Sequence, residues 1–295
     1  MYNVFLIGFL IFFTIKMHAQ NLELLETKID SIFHSIDGDF AIAFKSLDEE
    51  NISVFNNEKM IFHAASTMKT PVMIEVYKQA AGKKFALDDS VEIKIEFKSI
   101  VDGSTFSMNI IDDSGEELYK YIGKHKTVRE LVHEMITVSS NLATNILIDL
   151  AGAKNVTETL RTIGANDIQV LRGVEDEKAF NLGLNNVVTA FDLMLIYEHL
   201  AKRKFINVEA SNKMIEILLQ QKHKSRIPAK LPPTVKVAHK TGSITGVGHD
   251  SGIIFLPDGR KYILVLLSKK VKDEIAAMEA QAEVSKMIYD YMMKH

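Results

Sequence analysis

HAASTMKTP, residues 63–71, sets Lys69 three residues after Ser66, just where an apolar run from Val72 takes on helical character. If a helix starts near Ser66, the two side chains lie one turn apart on the same face. The positive end of the helix dipole disfavours a cation there and helps Lys69 shed its proton. A lysine near neutrality can accept the hydroxyl proton of Ser66 and turn that oxygen into a nucleophile. The backbone N–H of Ser66, free in the first turn, is available to hold an oxyanion. Serine and lysine are common enough that this spacing arises about once per chain by chance, and alone it reads equally as an exposed lysine on an amphipathic helix.

Two further polar clusters lie downstream. In ITVSSNLATN, Ser139-Ser140-Asn141 interrupts two apolar helical runs, Leu131 to Val138 and Leu142 to Leu150. Three small hydrogen-bonding residues there read as an inter-helix turn facing a cavity, or as a plain polar turn. In AHKTGSITGVGHDSG, Lys240-Thr241-Gly242-Ser243 ends a strand-like run, PTVKVA. Glycine there permits close backbone approach by a ligand. Lys240 offers a fixed positive charge, and Thr241 and Ser243 offer hydroxyls to an anionic group; a simple β-turn is the plainer reading.

The rest of the chain supplies the frame. A helical pattern in NLELLETKIDSIFHSID is followed by strand-like FAIAFKSL and NISVFNNE, joined by a turn at Asp48 to Asn51. From Ser66 to about residue 220 the pattern is mostly helical, with a capping box at Thr127 and Glu130 and a C-terminal Gly152. Strands return in PTVKVAHKTG, SGIIFLP and KYILVLLS, with Pro257-Asp258-Gly259 turning the last two, before a final helix. Strands at both ends and helices between them predict an α/β fold, an antiparallel sheet flanked by helices. One lobe comprises residues 20–64 and 221–295, and an inserted helical lobe comprises 65–220. The charged segment from Val91 to Lys126 reads as a surface loop or hairpin.

The 295 residues, 47% hydrophobic and 25% charged, suffice for a sizeable core. A formal charge of −3 with dispersed Lys and Arg argues against a nucleic-acid partner. There is no cysteine, which excludes disulfides, thiolate metal sites and a thiol nucleophile. Ten histidines fall in no metal-ligand spacing, so neither metal nor cofactor is expected. The apolar stretch Val4 to Ile15, short of the roughly 20 residues a spanning helix needs, ends near Ala19 as a signal peptide does. Residues 1–19 are therefore expected to be cleaved, leaving an exported, periplasmic or secreted protein without stable membrane insertion; an uncleaved anchor is the alternative.

Ser-x-x-Lys, Ser-x-Asn and Lys-Thr-Gly, in that order on a helix start, a helix turn and a strand, resemble the signature set of the penicillin-recognising serine enzymes, most closely the class A β-lactamases. The resemblance runs over essentially the whole chain after the signal peptide. It implies a β-lactamase/transpeptidase-like fold, a small-molecule β-lactam substrate and a monomer. It implies that Ser66 is the acylated nucleophile and Lys69 its activating partner. Ser139 would pass a proton to the β-lactam nitrogen with Lys240 assisting; Asn141 would bind the substrate amide, and Thr241 and Ser243 its carboxylate. The backbone N–H groups of Ser66 and Ser243 would form the oxyanion hole.

In LRGVEDEKAFNLGLNN, Glu175 follows Ser139 by 36 residues, close to the spacing of the family glutamate that holds the deacylating water, with Glu177 as competitor. Arg172 resembles the arginine that anchors this loop, one residue further from the glutamate than usual. Asn186 stands where its aspartate partner is expected, which leaves Asp176 as a candidate partner. The asparagine four positions after the glutamate is replaced by Ala179, with Asn181 two later. Ser140 replaces the aspartate of Ser-Asp-Asn, and the 73 residues from Ser66 to Ser139 exceed the family spacing. His249 is a candidate cation for the substrate carboxylate. Without a water-holding glutamate the same motifs would serve a D,D-peptidase acting on cell-wall peptides, or a β-lactam-acylated sensor.

Overall fold

The fold is organised by β1 (Asp39–Ser46), whose alternate residues enter two different cores. The computed structural model describes residues 20–294, so the expected signal peptide lies outside the described residues. Phe40, Ile42 and Phe44 face one side of the sheet, while Ala41 and Ala43 face the other. Period-2 alternation with apolar residues on both faces means a strand covered twice.

β2 (Ser53–Asn56) pairs with β1 across the turn at 48–51. The two-residue strands β3 (Phe62–His63) and β8 (Val187–Val188) join next to the Ser66 turn. Three more short strands come in the segment after α2 (Lys69–Ala81): β4 (Ser90–Glu92), and the hairpin of β5 (Glu96–Lys98) with β6 (Thr105–Ser107). β7 (His125–Thr127) closes that segment by pairing with β4. The expected loop or hairpin at 91–126 is thus a hairpin followed by two short 3-10 turns, and it buries Ile93, Phe97, Met108 and Leu118.

The C-terminal strands β9 (Lys236–Ile244), β10 (Val247–Phe255) and β11 (Lys261–Lys269) complete a five-stranded antiparallel sheet of order β2-β1-β11-β10-β9. One face carries the helix at 20–34, here α1, and α9 (Glu274–Lys294), through Leu25, Ile29, Phe33, Val284, Ile288 and Met292. The opposite face carries α7 (Ala190–Ala201) and, beyond it, α2, α3 (Val128–Thr137), α4 (Asn141–Ala151), α5 (Ala153–Arg161) and α8 (Val208–Leu218). The short α6 (Glu177–Asn181) lies in the acidic loop. Each fully buried Ile, Leu or Phe contributes about 1.5–3 kcal/mol, so two separate apolar faces hold the sheet from both sides.

Local signals in the sequence are realised. Thr127 and Glu130 form a reciprocal capping box on α3. Gly152, at φ 82°, ends α4 in a backbone conformation that costs glycine little. Two boundaries differ from expectation. Ser66 lies in a single 3-10 turn, Ala65–Met68, and α2 begins at Lys69. β9 runs through the Lys-Thr-Gly cluster to Ile244, so the turn falls at 245–246.

Candidate active site

Ser66 sits half-buried at a cleft of about 720 Å³ including its open mouth, together with Asn141, Glu175 and Ser243. The turn that presents Ser66 is strained, because Ala65 is held at φ 44°. The Ala65 N–H donates to His63 Nδ1 at 3.0 Å. Ser139 and Glu175 are also left-handed, at φ 64° and 63°. Such residues cost about 1–3 kcal/mol each and persist where surrounding structure over-determines them.

β9 is the edge of the sheet and lies against the Ser66 turn. A Cβ on Gly242 would stand 3.0 Å from both Ser66 N and Thr67 N, and 3.2 Å from Ala65 Cβ. The absence of a side chain here lets the backbone of the Ser66 turn approach closely, where the sequence suggested the approach of a ligand. Lys240 and Thr241 are buried, while Ser243 is exposed at the mouth.

Two buried lysines converge on Ser139. Lys69 Nζ donates to Ser139 O at 2.7 Å, to Asn141 Oδ1 at 2.8 Å and to Ser139 Oγ at 3.2 Å. Lys240 Nζ donates to Ser139 Oγ at 2.9 Å and to Thr241 O at 2.9 Å. With both lone pairs of Oγ occupied, the Ser139 hydroxyl proton is left for a third group. Burial lowers the Lys69 pKa to about 7, with Asp113 and Glu175 opposing the fall. Burial depresses Lys240 as well, reinforced by the charge of Lys69 and opposed by Asp250. Desolvation is therefore the leading cause at Lys69.

Asn141 joins this pair to the acidic loop. Its Oδ1 faces Lys69, and its Nδ2 donates to Glu175 Oε1 at 2.8 Å and to Asp112 O at 3.2 Å. Burial raises the Glu175 pKa, the Asn141 bond lowers it, and Asp113 and Asp112 raise it further. The other two acids differ. Glu177 is exposed in the first turn of α6, although it borders the same cleft. Asp176 is buried and structural: it caps α6 at Ala179 N (3.1 Å) and accepts from Ser99 Oγ and Ile100 N, each at 2.9 Å.

Asp176 is not the ion-pair partner of Arg172. The guanidinium donates instead to Leu184 O (2.9 Å), Gly173 O (3.0 Å) and Asn185 Oδ1 (3.1 Å). Asn186 closes the loop's neck without a charge, accepting from Leu171 N (2.8 Å) and Arg172 N (3.2 Å) and donating to Arg172 O (2.9 Å).

His249 is not a cation at neutral pH. It is fully buried, burial lowers its pKa to about 4, and its Nε2 bonds His63 O at 2.9 Å. A positive charge packed against this hairpin is Arg226, which the sequence reading did not single out. A Cβ on Gly248, the cross-strand partner of Ser243, would stand 2.6 Å from Arg226 Nη2. Among the described residues the Arg226 Nε is buried without a hydrogen-bond partner. Asp113 was missed too. No periodicity marks either residue, since both lie in irregular stretches.

The five-stranded antiparallel sheet flanked by helices, with a strained serine turn packed against its edge strand, is the fold of the penicillin-recognising serine enzymes. The profile of the Beta-lactamase enzyme family matches residues 24–292, and the chain belongs to that family. A β-lactamase of Bacteroides uniformis is 26% identical over 293 residues, covering 94% of each chain. The fold is shared with a β-lactamase from Sphaerobacter thermophilus (TM-score 0.78, 24% identity, 94% of this chain and 97% of that one). PBP-A is equally similar in fold (TM-score 0.79, 22% identity, 92% and 96%).

Proposed function

We propose that this chain is an exported, monomeric serine β-lactamase of class A type, which hydrolyses the β-lactam amide through an acyl-enzyme on Ser66. The observation that carries this reading is the convergence of buried Lys69 and Lys240 on Ser139, joined through Asn141 to the Glu175 carboxylate, with Asn141 and Glu175 lining the cleft of Ser66. Neutral Lys69 takes the Ser66 proton as Oγ attacks the lactam carbonyl. The oxyanion is received by the N–H groups of Ser66 and Ser243, which β9 brings together at the Gly242 contact. Ser139 then delivers its proton to the departing lactam nitrogen, supported electrostatically by Lys240. Asn141 orients the substrate amide, while Thr241, Ser243 and Arg226 hold its carboxylate.

Deacylation uses a water activated by Glu175. Burial raises its pKa above the ordinary carboxylate value and so makes it a stronger base, and general-base help is worth about 10²–10⁴ in rate. PBP-A shares the fold to the same degree as the β-lactamase structure, so fold alone does not separate turnover from a lasting adduct. The experiment is intact-mass spectrometry with a penicillin over time, on the wild type and on Glu175→Ala. A transient adduct on the wild type that persists on the variant supports the reading. Persistence on both assigns a penicillin-binding enzyme or sensor, and no adduct on either removes β-lactams as substrates.

A further inference from the structure

The two 3-10 turns after the β5–β6 hairpin deliver one buried carboxylate, Asp113, to the start of α4. Its Oδ1 accepts from Asn141 N and Gly115 N, each at 2.8 Å. Its Oδ2 accepts from Leu142 N at 2.7 Å and Ser140 Oγ at 3.3 Å. Four donors on one carboxylate leave it fully engaged. The neighbouring Asp112 carbonyl takes the Asn141 side-chain amide. Asn141 is thereby fixed from this segment through both its backbone and its side chain.

The packing is equally specific. A Cβ on Gly115 would stand 2.4 Å from Ser140 Cβ and 2.6 Å from Ser140 Oγ. The segment backbone fills the room that a longer side chain at position 140 would need. The short Ser140, the glycine at 115 and the long stretch between Ser66 and Ser139 therefore form one unit.

We propose that Asp113 is a positioning residue of the active site: by tethering the first turn of α4 it fixes Asn141, and through Asn141 it sets the Lys69 ammonium and the Glu175 carboxylate. This rests on the roles proposed above for those three residues. Asp113 also bears on the Lys69 proton. Lys69 faces Lys240 from β9, Glu175 from the acidic loop and Asp113 from this segment, with His223 interacting at longer range through Lys69 and Lys240. Removing the Asp113 charge takes away a group that favours the protonated lysine.

The test is Asp113→Asn, with Gly115→Ala as a second variant that displaces the segment without altering a charge. In an isosteric amide either orientation turns an NH₂ toward backbone donors, so the tether fails without loss of volume. Rate constants are read per active site, titrated by the burst of acyl-enzyme, and amide hydrogen exchange is followed at Asn141 to Ala143. Deacylation about tenfold or more slower per titrated site is expected for both variants. In Asp113→Asn the acidic limb of acylation should also move to lower pH. A merely structural role would lower the burst amplitude and leave the rate constants per site and the pH limb unchanged, which overturns the proposal. Unchanged exchange at Asn141 to Ala143 overturns it as well. Exchange is independent of substrate: a wild type that forms no penicillin adduct removes the proposed function, while faster exchange in the variants still establishes the tether.

Discussion

Gly242→Ala is the substitution whose consequence follows most directly from distances. The added methyl would lie 3.0 Å from two backbone nitrogens of the Ser66 turn, a few tenths of an ångström inside ordinary contact, and 3.2 Å from Ala65 Cβ. None of these atoms is the end of a flexible side chain. The turn is already strained at Ala65, and β9 is held by its full ladder to β10. Relief requires the strand and the turn to separate, which pulls apart the two proposed oxyanion donors. Losing one such donor costs about 10²–10³ in rate, and the displacement here is partial, so acylation should fall about 10²-fold. Overpacking of 1–3 kcal/mol lowers Tm by about 2–12 °C for a chain of this size. Stopped-flow acylation with a chromogenic cephalosporin, alongside thermal melting by circular dichroism, reads both. Wild-type acylation in a variant of unchanged Tm would refute the claim that this backbone contact builds the site.

Other perturbations have equally definite signs. With the Lys69 pKa at about 7, acylation by the neutral amine should rise with pH through about 7 and level off above it, as a kcat/KM profile under acylation-limited conditions would show. A flat profile from pH 6 to 9 would exclude Lys69 as the base. Arg226→Ala should raise KM for carboxylate-bearing substrates about tenfold or more with kcat little changed, since charged hydrogen bonds contribute about 1.5–3 kcal/mol; steady-state kinetics would show an unaffected KM if the arginine plays no part. His239 Nδ1 lies 2.8 Å from Asp250 Oδ1, and the other Asp250 oxygen accepts from Ile227 N at 3.0 Å. Both side chains are buried, so Asp250→Ala, which strands two buried donors, should cost about 1–3 kcal/mol for each in denaturant unfolding, and a loss below about 1 kcal/mol would contradict it. Asn186→Asp, although it installs the residue expected by resemblance, should lower Tm, because it replaces the donor to Arg172 O with an acceptor.

The Ser66 and Lys69 pair was legible because four consecutive residues in a helical turn have fixed geometry, whatever surrounds them. Ser139 and Asn141 were legible for a related reason: a polar interruption between apolar helical runs must face something polar. The cause of the Lys69 shift was not legible. Its position at a helix start suggested the dipole, whereas complete burial, a property of tertiary packing, comes first. The strand read in PTVKVAHKTG runs two residues further, to Ile244, and the burial of its His239, Lys240 and Thr241 comes from partners far away in sequence. Asp113 escaped notice because it lies in an irregular stretch and meets Asn141 28 residues away, so that no period connects them. Asp176 was misread for the opposite reason: nearness in sequence to Arg172 suggested a pair, but its oxygens are engaged by Ser99, Ile100 and Ala179.

The uncharged neck of the acidic loop bears on how the protein behaves in different media. An ion pair closing the loop would be screened as salt is added, since the Debye length falls from about 10 Å at 0.1 M to about 3 Å at 1 M. It would also open as its carboxylate protonated in acid. Asn186 makes its three bonds to the backbone of Leu171 and Arg172, and these depend on neither ionic strength nor proton concentration. The neck that carries Glu175 should therefore stay closed in brine and in mild acid alike, so that acid silences the base itself while the scaffold around it holds.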